Sequence, residues 1–124
     1  MKHVLIVDSD LGFTFWLGEV LSRANYQPWP ASTVSDAIAV MNRKPAVSPD
    51  VLIVDSRLSG ASRLIARFRR QHANLKVVAL GSSNEKALPG VDAWHKRADP
   101  GDSSARQKWV RAIGRISHRQ KHAA

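Results

Sequence analysis

Apolar positions in this chain alternate between short unbroken runs and stretches that repeat every three to four residues. Val4 to Val7, Val51 to Val54 and Val77 to Leu80 are unbroken runs. Such runs predict strands buried on both faces, over Val4–Val7, Val51–Asp55 and Lys76–Leu80. Between the first two, Phe13, Trp16, Leu17, Val20 and Leu21 stand at i, i+3, i+4, i+7 and i+8. That spacing predicts a helix with one apolar face. Asp10 is placed to cap its start, and Asn25 to take a left-handed turn near its end.

The stretch Tyr26 to Ser32 predicts a second strand, and it holds Pro28 and Pro30. Each proline removes a backbone donor, and two residues apart the missing donors lie on one side of the strand. Such a strand belongs at an edge with that side outward. Ser35 to Asn42 predicts a short helix with Ala37, Ile38 and Met41 inward. Lys44 to Pro49 is a loop with two prolines. Ser62 to His72 predicts a helix burying Leu64, Ile65 and Phe68.

After the Lys76–Leu80 strand, Gly81 to Asn84 reads as a polar turn. Pro89-Gly90 limits any following helix to about a turn over Glu85 to Leu88. Val91 to His95 is a weak fifth strand. A last helix, capped by Ser103 or Ser104, carries the stripe Trp109, Val110, Ile113 and Ile116, and Ser117 to Ala124 reads as a frayed tail. Strands joined by helical crossovers are parallel with right-handed connections. The expected fold is α/β, a three-layer sandwich around a five-stranded parallel sheet, and the order 2-1-3-4-5 fits the edge position of strand two. With 124 residues the chain makes one domain, expected over residues 1–117, followed by a basic tail at 118–124.

Charge alters this picture in one respect. The formal net charge is +9, and it is uneven. From residue 96 onward Lys96, Arg97, Arg106, Lys108, Arg111, Arg115, Arg119 and Lys121 face only Asp99 and Asp102. Arg63, Arg67, Arg69 and Arg70 form a second basic group. Such faces suit an acidic partner or nucleic acid, or simply a solubilised surface. There is no cysteine, which excludes a disulfide scaffold or a cysteine-ligated zinc site. No apolar run approaches the ~20 residues that span a bilayer. A cytoplasmic protein without membrane partners is the expectation.

Candidate chemistry gathers where the predicted strands end. Asp8 and Asp10 follow the first, and Asp55 ends the third. In open parallel sheets the carboxyl edge is where ligands bind. If the two strands are neighbours, the three carboxylates converge. His118 and His122 have a helical metal spacing but no carboxylate companion. Ser56 and Ser59 have no histidine at a suggestive spacing, and no Gly-x-Gly-x-x-Gly follows the first strand. Zinc, hydrolase and dinucleotide readings are thereby set aside.

Taken together and in order, these motifs resemble the response-regulator receiver domain, the flavodoxin-like (CheY-like) switch module of two-component signalling. Val7-Asp8-Ser9-Asp10 resembles its acidic cluster, and Asp55 falls on its phosphoacceptor. Ser56-Arg57-Leu58-Ser59-Gly60 resembles the loop that follows, and Gly90-Val91-Asp92-Ala93-Trp94 the run before its conserved lysine. The resemblance implies a non-enzymatic phosphoprotein that accepts a phosphoryl group on Asp55 from a histidine kinase or phosphotransfer protein. It implies a Mg2+ ion held by Asp8, Asp55 and the Arg57 backbone carbonyl; Asp10, displaced by one from the family's acidic position, becomes a further ligand if the loop turns it inward instead of leaving it to cap the helix. Ser82 would supply the strand-four hydroxyl, and Lys96 or Arg97 the strand-five base. An alternative role for Arg57 is to lean its side chain over the carboxylates in place of the metal.

The sequence departs from the family pattern at several points. Ser9 stands where a direct magnesium ligand is usual, and Gly81 takes the hydroxyl position, with Ser82 beside it. Ala98 replaces a proline, and helix four is shortened. These departures raise two alternatives. One is a pseudo-receiver adaptor that works by protein contact without phosphorylation. The other is nucleic-acid binding through the basic last helix.

Overall fold

The computed structural model describes residues 1–43, 47–81, 88–99 and 101–117. Its elements run β1 (Lys2–Val7), α1 (Leu11–Arg23), β2 (Tyr26–Ala31), α2 (Val34–Arg43), β3 (Val51–Asp55), α3 (Ala61–Gln71), β4 (Lys76–Leu80), β5 (Ala93–His95) and α4 (Ala105–Ser117). All five strands are parallel, in the order β2-β1-β3-β4-β5. The expected sheet is therefore the observed one. All but Leu88 of the expected one-turn helix, most of the turn before it and the basic tail lie outside the described residues, as does Ser82.

Side chains alternate across the sheet and divide the core in two. Leu5, Val7, Leu52, Val54 and Val77 face Met41, Leu64, Ile65 and Phe68 of α2 and α3. Val4, Ile6, Val51, Ile53 and Val78 face Leu17, Leu21, Trp109 and Ile113 of α1 and α4. β1 and β3 are buried on both faces, which is why their sequences are unbroken apolar runs.

The two prolines do what their spacing requires. β2 is an edge strand, with Pro28 beside Val4 and Pro30 beside Ile6, and among the described residues only β1 pairs with it. Successive backbone N–H groups point to opposite sides, so the missing donors leave the pairing with β1 intact. α1 ends as expected, with Asn25 at φ 72°. The start of α4 differs. The Ser104 hydroxyl donates to Asp102 Oδ1 at 2.6 Å instead of capping α4, and Asp102 also accepts the Ser104 N–H at 2.8 Å. Val110 is only half-buried, while Trp109, Ile113 and Ile116 fill the core.

Candidate functional site: an arginine-bridged carboxylate pair

Register places the site. Val7 of β1 lies beside Val54 of β3, so the next residues, Asp8 and Asp55, leave the sheet side by side at its carboxyl edge. Both are buried; Asp8 is 0% exposed and Asp55 5%. Two adjacent buried carboxylates repel one another and lose their hydration, so each needs strong compensating donors.

Arg97, two residues past β5, supplies them. Its Nε donates to Asp8 Oδ2 at 2.8 Å and its Nη2 to Asp8 Oδ1 at 2.7 Å. The same Nη2 donates to Asp55 Oδ2 at 2.7 Å. The planar guanidinium thus grips Asp8 in a fork and reaches across to Asp55, a geometry a lysine ammonium lacks. Asp8 Oδ1 also accepts the Asp10 N–H at 3.1 Å. Asp55 Oδ1 accepts the Arg57 N–H at 3.0 Å.

These contacts decide the electrostatics. Burial by itself raises the Asp55 pKa, but the Arg57 backbone N–H and the charge and hydrogen bond of Arg97 more than offset it. The carboxyl is held below its ordinary 3.8. Arg97 is held above its ordinary value, first by its hydrogen bond to Asp8, against the opposing effect of its own burial. Asp55 and Arg97 are ionised together at neutral pH.

The other expected site residues are placed as follows. Asp10 is exposed, and its Oδ1 accepts the Phe13 N–H at 3.1 Å, so it caps α1. Its backbone carbonyl also accepts from the Thr14 hydroxyl at 2.9 Å. Ser9 is exposed. Lys96 is exposed, while Arg97 turns inward onto the carboxylates. The side chain of Arg57 is 67% exposed and approaches Asp55 only through Nε, at 3.5 Å. It is therefore Arg97, and not Arg57, that lies across the pair. At Gly81 the backbone has φ 142°, and its N–H donates to the His95 carbonyl at 3.1 Å, which ties the end of β4 to β5.

Sequence reading left Lys96 and Arg97 as alternatives because β5 is short and half-buried, so no apolar alternation fixes its register. The bidentate contact of Arg97 with Asp8 went unforeseen. One signal for it is the residue type: a forked cation two positions past the last strand has the reach to join two carboxylates.

The strand order, the alternating helices and the carboxylates at the carboxyl edge define the fold of response-regulator receiver domains. Solved structures agree. A response-regulator receiver-domain protein from Clostridium thermocellum superposes with a TM-score of 0.74, at 14% identity over 94% of each chain. A putative response regulator from Chloroflexus aurantiacus J-10-fl gives 0.72 at 23% identity, covering 95% of this chain and 98% of its own. The response regulator TrrA from Thermotoga maritima, solved with Mg2+ and BeF, gives 0.67 at 18% identity, covering 91% and 99%. At such identities the likeness is one of fold. No family model matches the sequence, and no curated protein matches it significantly.

Magnesium prefers an octahedron of oxygens at about 2.0–2.1 Å. Here both Asp8 oxygens and Asp55 Oδ2 are engaged by a cationic side chain. Asp10 is turned to its cap and Ser9 offers no charge. Among the described residues no three acidic, histidine or cysteine side chains are grouped to hold a metal. The donor set, as arranged, does not fit the ion.

Proposed function

We propose that the protein is the receiver module of a response regulator in two-component signalling, with Asp55 as the residue through which the signal enters. The observation that carries this reading is the position of Asp55. It ends the central strand of a receiver fold, beside a second buried carboxylate and under a single basic residue from the end of β5. In this role Asp55 accepts a phosphoryl group from a histidine kinase or phosphotransfer protein. An O–P bond forms at the carboxylate, the N–P bond of the donor breaks, and the departing nitrogen takes up a proton. Arg97 already touches Asp55 and is positioned to screen the added charge.

A second reading is favoured by the same arginine together with Ser9. Arg97 pairs with both carboxylates in the resting protein, as befits an adaptor that presents one fixed surface and needs no phosphorylation. One experiment separates the two. The protein is incubated with a small phosphodonor and magnesium and weighed intact by mass spectrometry. The receiver reading expects one added phosphate, lost in Asp55→Asn. An unmodified protein, under conditions that label an ordinary receiver, supports the adaptor.

A further inference from the structure

We propose that the Arg97 guanidinium is the built-in cation of this pocket, holding Asp8 and Asp55 together where a divalent ion would otherwise sit and keeping the resting protein from binding magnesium. The proposal rests on the arrangement of charge and not on phosphoryl acceptance at Asp55.

Three independent features converge on it. First, Arg97 Nη2 is 2.7 Å from Asp8 Oδ1 and 2.7 Å from Asp55 Oδ2, so one nitrogen bridges the two carboxylates. A bridging ion would use those same oxygens. Second, the negative charge that would draw a dication is reduced at its source. Ser9 is neutral and exposed, and the Asp10 carboxylate is spent on the first turn of α1. Only two carboxylates remain, and Arg97 offsets one of them. Third, Asp8 is wholly buried, and both of its oxygens accept from Arg97. Swinging the guanidinium away would strand a buried charge, which is among the costliest changes a folded protein can undergo. An incoming ion must therefore overcome the repulsion of a fixed positive charge and also supply what Arg97 supplies to Asp8.

Arg97 acts here as a positioning residue. It holds the two carboxylates at a fixed separation, and it does so continuously, because a guanidinium keeps its proton at any physiological pH. In such a pocket the paired arrangement is the default state. Any event that places new charge on Asp55 competes with Asp8 for the same nitrogen, Nη2. That competition is a route by which Asp55 would speak to β1 and to the end of β5.

Mn2+ serves as the probe, followed by electron paramagnetic resonance on the full chain with no phosphodonor present. Wild type is expected to show no saturable binding at millimolar metal. Arg97→Gln, which removes the charge and keeps a shorter polar side chain, is expected to bind at least about a hundredfold more tightly, because a unit charge at contact distance no longer opposes the ion. Arg97→Lys, which keeps the charge, should stay close to wild type. Adding Asp55→Asn to Arg97→Gln should abolish the new binding and so locate it. Equal affinity in wild type and Arg97→Gln overturns the proposal, as does binding that survives Asp55→Asn. If the Arg97 variants do not fold, wild type alone decides. A saturable rise in its melting temperature with MgCl2, at constant ionic strength, refutes a resident cation, and no rise supports one. Because no phosphoryl donor is present, these outcomes are independent of whether Asp55 is ever phosphorylated.

Discussion

Arg97 holds Asp8 through two parallel hydrogen bonds, Nε to Oδ2 at 2.8 Å and Nη2 to Oδ1 at 2.7 Å, across 89 residues of sequence. One arginine thereby ties the end of β5 to the end of β1, and its third contact brings in the end of β3. This link is as much a part of the fold as of the site.

Its removal should therefore be felt globally. Arg97→Ala leaves Asp8 buried without its ionic partner, and the expected loss of stability is about 3 kcal/mol. Arg97→Lys keeps the charge but not the fork, and should cost about half as much. Urea denaturation of the three proteins checks the order. Equal midpoints would show that Asp8 finds another donor.

Acid should weaken the protein in part through Asp55. Its carboxyl is held below the ordinary 3.8, so the folded state binds this proton less readily than the unfolded chain does. The stability it contributes is complete above that ordinary value and is lost as pH falls through the lower folded-state value. Asp55→Asn removes this component. The gap in urea midpoint between wild type and Asp55→Asn should therefore narrow as pH drops below 3.8.

Gly90 is held in a left-handed turn at φ 84°. A Cβ there would lie 2.9 Å from Ile65 Cγ2 and 3.1 Å from Arg69 Nε. Arg69 Nε also donates to the Gly90 carbonyl at 2.8 Å, fastening this turn to α3. Gly90→Ala should cost about 1–3 kcal/mol. Gly101→Ala, where a Cβ meets nothing within 4 Å, should stay within about 0.5 kcal/mol of wild type. Thermal melting of both variants makes the comparison.

The prolines of β2 should guard the sheet edge. Restoring donors with Pro28→Thr and Pro30→Thr together leaves the pairing with β1 in place and completes an outward ladder. Such an edge recruits other strands. Sedimentation velocity should show more self-association in the double variant than in wild type at the same concentration.

Much of this architecture was legible because burial leaves a mark on composition. Strands buried on both faces must be apolar without interruption, so β3 and β4 have the bounds their runs predict. Pro28 and Pro30 placed β2 at the border through the chemistry of missing donors. Asp10 offered two roles, cap and ligand, and the free N–H groups of the first turn of α1 claim its carboxylate. β5 was the weakest reading: three half-buried residues carry too little pattern to set a register.

Hydrophobic runs, prolines and helical crossovers carry the α/β class and the border position of β2 in the sequence, and Asp8 meets Asp55 because β1 and β3 are neighbours in the sheet. Which cation meets them is settled in three dimensions. Lys96 and Arg97 are neighbours with the same charge, and the weak pattern of β5 does not fix the register between them. What separates them is the direction in which the chain leaves β5: it exposes Lys96 and turns Arg97 onto two buried carboxylates whose lost hydration a charged donor must replace.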